Sequence, residues 1–149
     1  VIGHSLGSFT AIYTFHTQPR LLPDKLIATA CPGEAQEFFN FYQKQLGLNA
    51  RTMNLTVKQF EKEVQHLPAY FSAPTFTKNL TIPGLLIHDE EDQETLVENA
   101  ISIHQSWKNS KLILTKGKGH NLKSDEVVNH VIDFIAQEHV LEVTRQKTL

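Results

Sequence analysis

Cysteine is almost missing from this sequence. Cys31 stands alone among 149 residues. No internal disulfide can form, and no cysteine-based zinc site can be assembled. The better reading of Cys31 is a small core residue beside a strand end rather than a nucleophile. Charge of one sign is missing too. Fourteen Lys and Arg stand against sixteen Asp and Glu, a net charge of −2, with no basic run or patch. Nucleic acid and anionic membrane surfaces are therefore not expected partners. No apolar run approaches the ~18–20 residues that a membrane-spanning helix needs. No signal-peptide pattern is visible, so a cytoplasmic location is the expectation. Repeats and low-complexity segments are absent. Two Asn-x-Thr triplets, at Asn54 and Asn79, read as chance matches.

What is present is ordinary for a soluble globular protein: 40% hydrophobic and 20% charged residues. The length suits one domain with a real core. Helical spacing runs from Leu6 to Thr17, stopped by Pro19 and Pro23. Short apolar strands are expected at Lys25–Ala30, Gly84–His88 and Lys111–Thr115. Helices are expected from Glu94 to Trp107 and from Ser124 to Glu138, with a polar tail after Val143 that frays. Apolar strands alternating with helices imply a parallel sheet covered on both faces. Such sheets bind ligands at the carboxyl ends of their strands. Between Cys31 and Pro83 the chain is too long for a simple crossover. It holds two expected helices, one with Phe38, Phe39, Phe41, Tyr42 and Leu46, the other with Val57, Phe60, Val64 and Leu67. An insertion there would overhang the strand ends as a lid, its aromatics either lining a pocket or packing the insertion down.

Gly3-His4-Ser5-Leu6-Gly7 fits the G-x-S-x-G pattern, in which a serine sits on a tight, strained turn between strand and helix. The two glycines are expected to remove Cβ atoms that would collide there. A serine hydroxyl needs a base, and the base needs a third group to orient it. His120 lies in the loop after the third strand of the alternation, and acidic residues Asp89, Glu90, Glu91 and Asp92 follow the second. The order is nucleophile, acid, histidine. A solvated acidic loop and a divalent-cation site are the alternatives for the acidic cluster. His16, His104 and His130 fall on expected helices and are less well placed.

Three segments now carry a resemblance. They are Val1-Ile2-Gly3-His4-Ser5-Leu6-Gly7, the strand Ile82 to His88 running on through Asp89-Glu90-Glu91-Asp92, and Gly117-Lys118-Gly119-His120. Together they resemble the carboxyl-terminal part of an α/β-hydrolase of the serine esterase and lipase type, from the nucleophile elbow to the last helix. The resemblance implies one partial α/β-hydrolase domain over residues 1–149, a parallel sheet with helices on both faces, and a helical cap at about residues 33–80. It implies Ser5 as nucleophile, His120 as base and Asp92 as acid, with Asp89 replacing the family's usual glycine. The Leu6 N–H would be one oxyanion donor. The second would come from a loop that precedes the elbow in the family and is expected to lie outside this chain. His4 would shape the pocket, and His88 would hydrogen-bond behind the acid. The implied activity is cleavage of a carboxylic ester or related acyl bond in a small-molecule substrate, without cofactor or metal. The alternative is an inactive fragment or a non-catalytic ligand-binding module.

Overall fold

Four strands form one parallel sheet in chain order: β1 (Ile2–His4), β2 (Leu26–Thr29), β3 (Gly84–Asp89) and β4 (Ser110–Thr115). This computed structural model describes residues 1–146, with side chains as far as Gln137. Residues 147–149, the end of the tail expected to fray, lie outside the described residues. Register pairs His4 with Thr29, Thr29 with Ile87, and Asp89 with Thr115. All four strands therefore deliver their following turns to one end of the sheet.

The central strands alternate between two cores. Leu26, Ala28 and Leu86 face a cluster containing Phe9 and Ile12 of α1 (Leu6–Thr17), Phe76 of α4 (Ala73–Thr77), and Ile103 of α5 (Val97–Ser106). Ile27, Leu85 and Ile87 face the opposite way, onto Leu122 and onto Val127 and Phe134 of α6 (Asp125–Gln146). Each connection advances the sheet one strand in the same direction, and right-handed crossovers then put their helices on one face. The chain changes face after β4, through Gly117 and Gly119 with φ of +75° and +58°. Those are left-handed conformations that glycine adopts without a Cβ penalty.

Between β2 and β3 stand α2 (Ala35–Gln45), α3 (Ala50–Val64), a 3₁₀ turn at Pro68–Tyr70, and α4. Asn49 starts α3 by accepting the Thr52 N–H. Phe39 meets Phe60 edge-on at 5.1 Å, which holds α2 to α3. Phe60 then meets Phe71 of the main core at 5.5 Å. The periodicity anticipates α2 and α3 but not α4, whose five residues are too few to show a period.

Two helix ends differ from the expectation. α5 starts at Val97 rather than Glu94, because the N–H groups of Glu94 and Thr95 are taken by the Asp92 side chain in a turn. α6 runs on to Gln146 because no glycine or proline follows Gly119 to stop it. Its apolar residues also divide. Val127 and Phe134 are buried on the sheet, while Val128, Ile132 and Ile135 turn outward and are more than half exposed. Among the described residues no helix is long and apolar enough to cross a membrane.

Gly84 opens β3 under the Trp107 ring. A Cβ there would sit 2.4 Å from two ring carbons of a fully buried tryptophan. The ring is anchored by its N–H to the Ile82 carbonyl at 3.1 Å. Gly84→Ala is expected to destabilise the fold by about 1–3 kcal/mol through overpacking. Urea unfolding measures this, and an unchanged midpoint would mean the ring moves freely.

Candidate active site

Ser5 stands between β1 and α1 with φ 51° and ψ −124°, a conformation that a residue with a Cβ rarely adopts. Three hydrogen bonds pin it. Its N–H donates to the Thr29 carbonyl at 2.9 Å, and its own carbonyl accepts from Ser8 and Phe9. The turn is close-packed on one side. A Cβ on Gly3 would lie 2.6 Å from the Ser8 Cα. The expectation for the second glycine fails, because a Cβ on Gly7 meets nothing within 4 Å. Gly7 is on the exposed side of α1, whereas Gly3, on β1, packs against the helix at Ser8. Leu6 is the first residue of α1, so its N–H lies outside the helical ladder and at the positive end of the helix.

His120 bridges the other two turns. Its Nε2 is 3.0 Å from Ser5 Oγ and its Nδ1 is 2.8 Å from Asp92 Oδ2. Beside a carboxylate, Nδ1 carries the proton and donates, which leaves Nε2 to accept from the serine hydroxyl. Asp92 is buried. Its Oδ1 accepts the Glu94 and Thr95 N–H groups at 2.8 and 3.1 Å, and Oδ2 also accepts the Thr95 hydroxyl at 2.8 Å. Burial works against its ionisation, but the His120 ring and these donors outweigh it and hold the carboxyl below its usual range. Glu94 adds a carboxylate 3.8 Å from His120 Nε2.

The remaining histidines sort by distance. The His4 ring lies 5.1 Å from the His120 ring, with Nδ1 on the Thr29 hydroxyl at 3.0 Å. Partial desolvation, and next the charge His120 can carry, push the His4 ring below its ordinary value. His88 is fully buried, donates from Nε2 to the Thr95 carbonyl at 2.9 Å, and lies 3.5 Å from Asp92 Oδ2. His16, His104 and His130 lie on α1, α5 and α6, away from this cluster. Cys31 is buried, and burial pushes its thiol far up, as suits a core residue. Glu90 and Glu91 are exposed. Among the described residues no group of three or more His, Cys, Asp or Glu could hold a metal ion.

A cavity of about 120 Å³ opens beside Ser5 and His120. Phe38, Phe41 and Tyr42 of α2 line it together with Leu6, Pro32, Glu37, Glu94 and Thr95. Phe39 does not, since it turns to Phe60 instead. Sequence reasoning passed over Glu37 and Thr95. Thr95 had a signal, because an Asp three residues before a Thr at the entrance to a helix is a side-chain-to-backbone turn pattern. Glu37 had none, being one acidic residue in an amphipathic helix.

No protein-family model and no curated protein matches the sequence. Solved structures do match. A candidate non-heme bromoperoxidase from Mycobacterium tuberculosis aligns with a TM-score of 0.66 at 17% identity, over 92% of this chain and 66% of its own. The esterase domain of a Rhodothermus marinus protein aligns at 0.62 and 17%, over 92% and 58%. An α/β-hydrolase enzyme from a sediment metagenome of the Mar Chica lagoon, Morocco, aligns at 0.62 and 18%, over 93% and 60%. This chain has the α/β-hydrolase fold. It spans less than two thirds of the length of each of these structures.

Within this α/β-hydrolase fold, Asp89 ties two loops together. It is fully buried at the end of β3. Oδ2 accepts the Thr115 hydroxyl at 2.8 Å and the Lys118 N–H at 2.9 Å, and Oδ1 accepts the Glu91 N–H at 3.0 Å. Burial opposes its ionisation, but the Lys118 N–H, the Thr115 hydroxyl and the Glu91 and Gly119 N–H groups hold it below the usual range. A carboxyl depressed in the folded state adds stability that is complete above its unfolded value of about 3.9. That stability is lost as pH falls through the lower folded value. Asp89→Asn is therefore expected to be less stable at pH 7 and to lose less stability between pH 5 and pH 3. Urea unfolding across that range checks it, and parallel curves for both proteins would refute the assignment.

Proposed function

We propose that this chain carries the catalytic centre of a serine hydrolase that cleaves carboxylic esters of small molecules. The observation that carries the proposal is the unbroken chain Ser5 Oγ, His120 Nε2, His120 Nδ1, Asp92 Oδ2 at 3.0 and 2.8 Å. Those distances suit proton transfer. The match in fold to an esterase domain adds support of a general kind.

In this reading His120 Nε2 takes the hydroxyl proton as Ser5 Oγ attacks the ester carbonyl carbon. The imidazolium that forms is stabilised by Asp92, which keeps Nδ1–H oriented and stays ionised. The tetrahedral oxyanion lies against the Leu6 N–H at the start of α1, where the helix dipole favours negative charge. Collapse breaks the carbon–oxygen bond of the ester, and His120 gives its proton to the departing alcohol. Water then enters and attacks the acyl carbon while His120 takes its proton; the bond to Ser5 Oγ breaks, His120 returns the proton to that oxygen, and the acid leaves. His4, neutral beside His120, adds no competing positive charge. The helices at about residues 33–80 serve as the cap that presents α2 to the substrate.

A fluorophosphonate probe is expected to label Ser5, and Ser5→Ala is expected to abolish the label. Asp92→Asn should lower kcat/KM on p-nitrophenyl acetate by on the order of 10⁴, because the wrong histidine tautomer is then favoured. Equal labelling of Ser5→Ala would sink the mechanism. A folded chain that binds acyl compounds without labelling would favour the non-catalytic ligand-binding reading.

A further inference from the structure

The cavity beside Ser5 has an unusual balance of charge. Two carboxylates, Glu37 and Glu94, line it with the rings of Phe38, Phe41 and Tyr42, and among the described residues no lysine or arginine does. Glu37 is built into place rather than loosely exposed. Asn99, itself buried, donates its amide to Glu37 Oε2 at 2.6 Å. The Gly33 backbone N–H donates to the same carboxylate. Gly33 is needed for this packing, since a Cβ there would lie 2.6 Å from the Asn99 amide oxygen. Among the described residues Glu37 has no ion-pair partner, and burial pushes its carboxyl above the usual range.

A half-buried carboxylate on a cavity wall, held by neutral donors and without a cation, favours a ligand that brings the cation. Aromatic faces beside it favour the same ligand, because ring quadrupoles attract ammonium groups. A substrate carboxylate reaching the Glu37 wall would instead meet two like charges, Glu37 and Glu94.

We propose that Glu37, with the Phe38, Phe41 and Tyr42 rings, selects a substrate whose acyl or alcohol part carries an ammonium group. This deepens the ester-hydrolase reading and rests on it for the reaction, but the cation preference can be read by binding alone.

Choline and its neutral isostere 3,3-dimethylbutan-1-ol form the test pair, with binding to the whole protein measured by calorimetry. Choline is expected to bind about tenfold more tightly, the scale of one desolvated cation–π and charge contact. In Glu37→Gln the ratio should fall to near one. Phe41→Leu, which removes a ring face but no hydrogen bond found here, should lower it as well. Butyrylcholine should likewise exceed 3,3-dimethylbutyl butyrate in kcat/KM, and Glu37→Gln should erase the difference. Equal binding of the pair by the wild-type protein overturns the proposal without any variant. So does a ratio that Glu37→Gln leaves unchanged. Labelled Ser5 without cation preference would sink this proposal alone. Cation preference without labelling would sink the hydrolase reading and leave the pocket assignment standing.

Discussion

Two carboxylates buried at the end of β3 organise this end of the molecule. Asp89 and Asp92 lie three residues apart, and both are held below the usual carboxylate range despite burial. Asp89 is held by neutral donors, N–H groups and a hydroxyl. Asp92 adds the His120 ring to such a set. The donors come from different segments, so each carboxylate fixes more than itself. Asp89 reaches Lys118 in the loop that carries His120, and Glu91 in the loop that carries Asp92. Neutralising either carboxyl would leave buried donors with fewer acceptors and would free a loop. Asp89 thus links the loops that carry His120 and Asp92, although its side chain bonds to neither His120 nor Ser5.

The helix α5 joins this arrangement to the wall of the cavity. The turn just before it supplies Thr95, which donates to Asp92 by both N–H and hydroxyl. One turn further on, Asn99 donates to Glu37 on α2. One turn and the helix it opens therefore connect Asp92 to α2. Phe38 also packs edge-on against Phe9 of α1 at 6.4 Å. The insertion is consequently seated on both helices that flank the site. Its aromatic residues divide by helical position. Phe38, Phe41 and Tyr42 share the face toward the cavity, while Phe39 points to α3. Phe41 and Tyr42 line the cavity, Phe39 packs the inserted helices together, and Phe38 does both.

Long-period features were legible in the sequence and short-range chemistry less so. Strands such as Gly84–Asp89 read clearly because both faces are buried and the whole run is apolar up to its last two residues. The span Leu6–Thr17 was legible because Pro19 and Pro23 close its carboxyl end. That Ser5, Asp92 and His120 would meet was legible because each follows a strand, and parallel strands bring their following turns together. The short helix α4 was not legible, because five residues carry no period. The outward turn of Val128, Ile132 and Ile135 was not legible either, since an apolar residue beside a helical stripe looks the same as one within it. The role assigned to Gly7 was wrong because pattern alone does not show which glycine lies between strand and helix; only Gly3 does.

Thr29 shows how the strain at Ser5 is carried. A serine at φ 51° stores on the order of 1–3 kcal/mol, which the surroundings must offset. The Thr29 carbonyl accepts the Ser5 N–H and also the Ser8 hydroxyl, while the Thr29 N–H donates back to Ser8 Oγ. Its hydroxyl donates to the Gly3 carbonyl and faces His4 Nδ1. One buried threonine on β2 therefore holds the residues on both sides of Ser5. Relaxing Ser5 would break a fully satisfied buried network, and each orphaned buried group would cost about 1–3 kcal/mol. That exceeds what the relaxation returns. The serine keeps its half-buried, strained position because β2 and α1 are each bonded to the same turn, so neither can yield without the other.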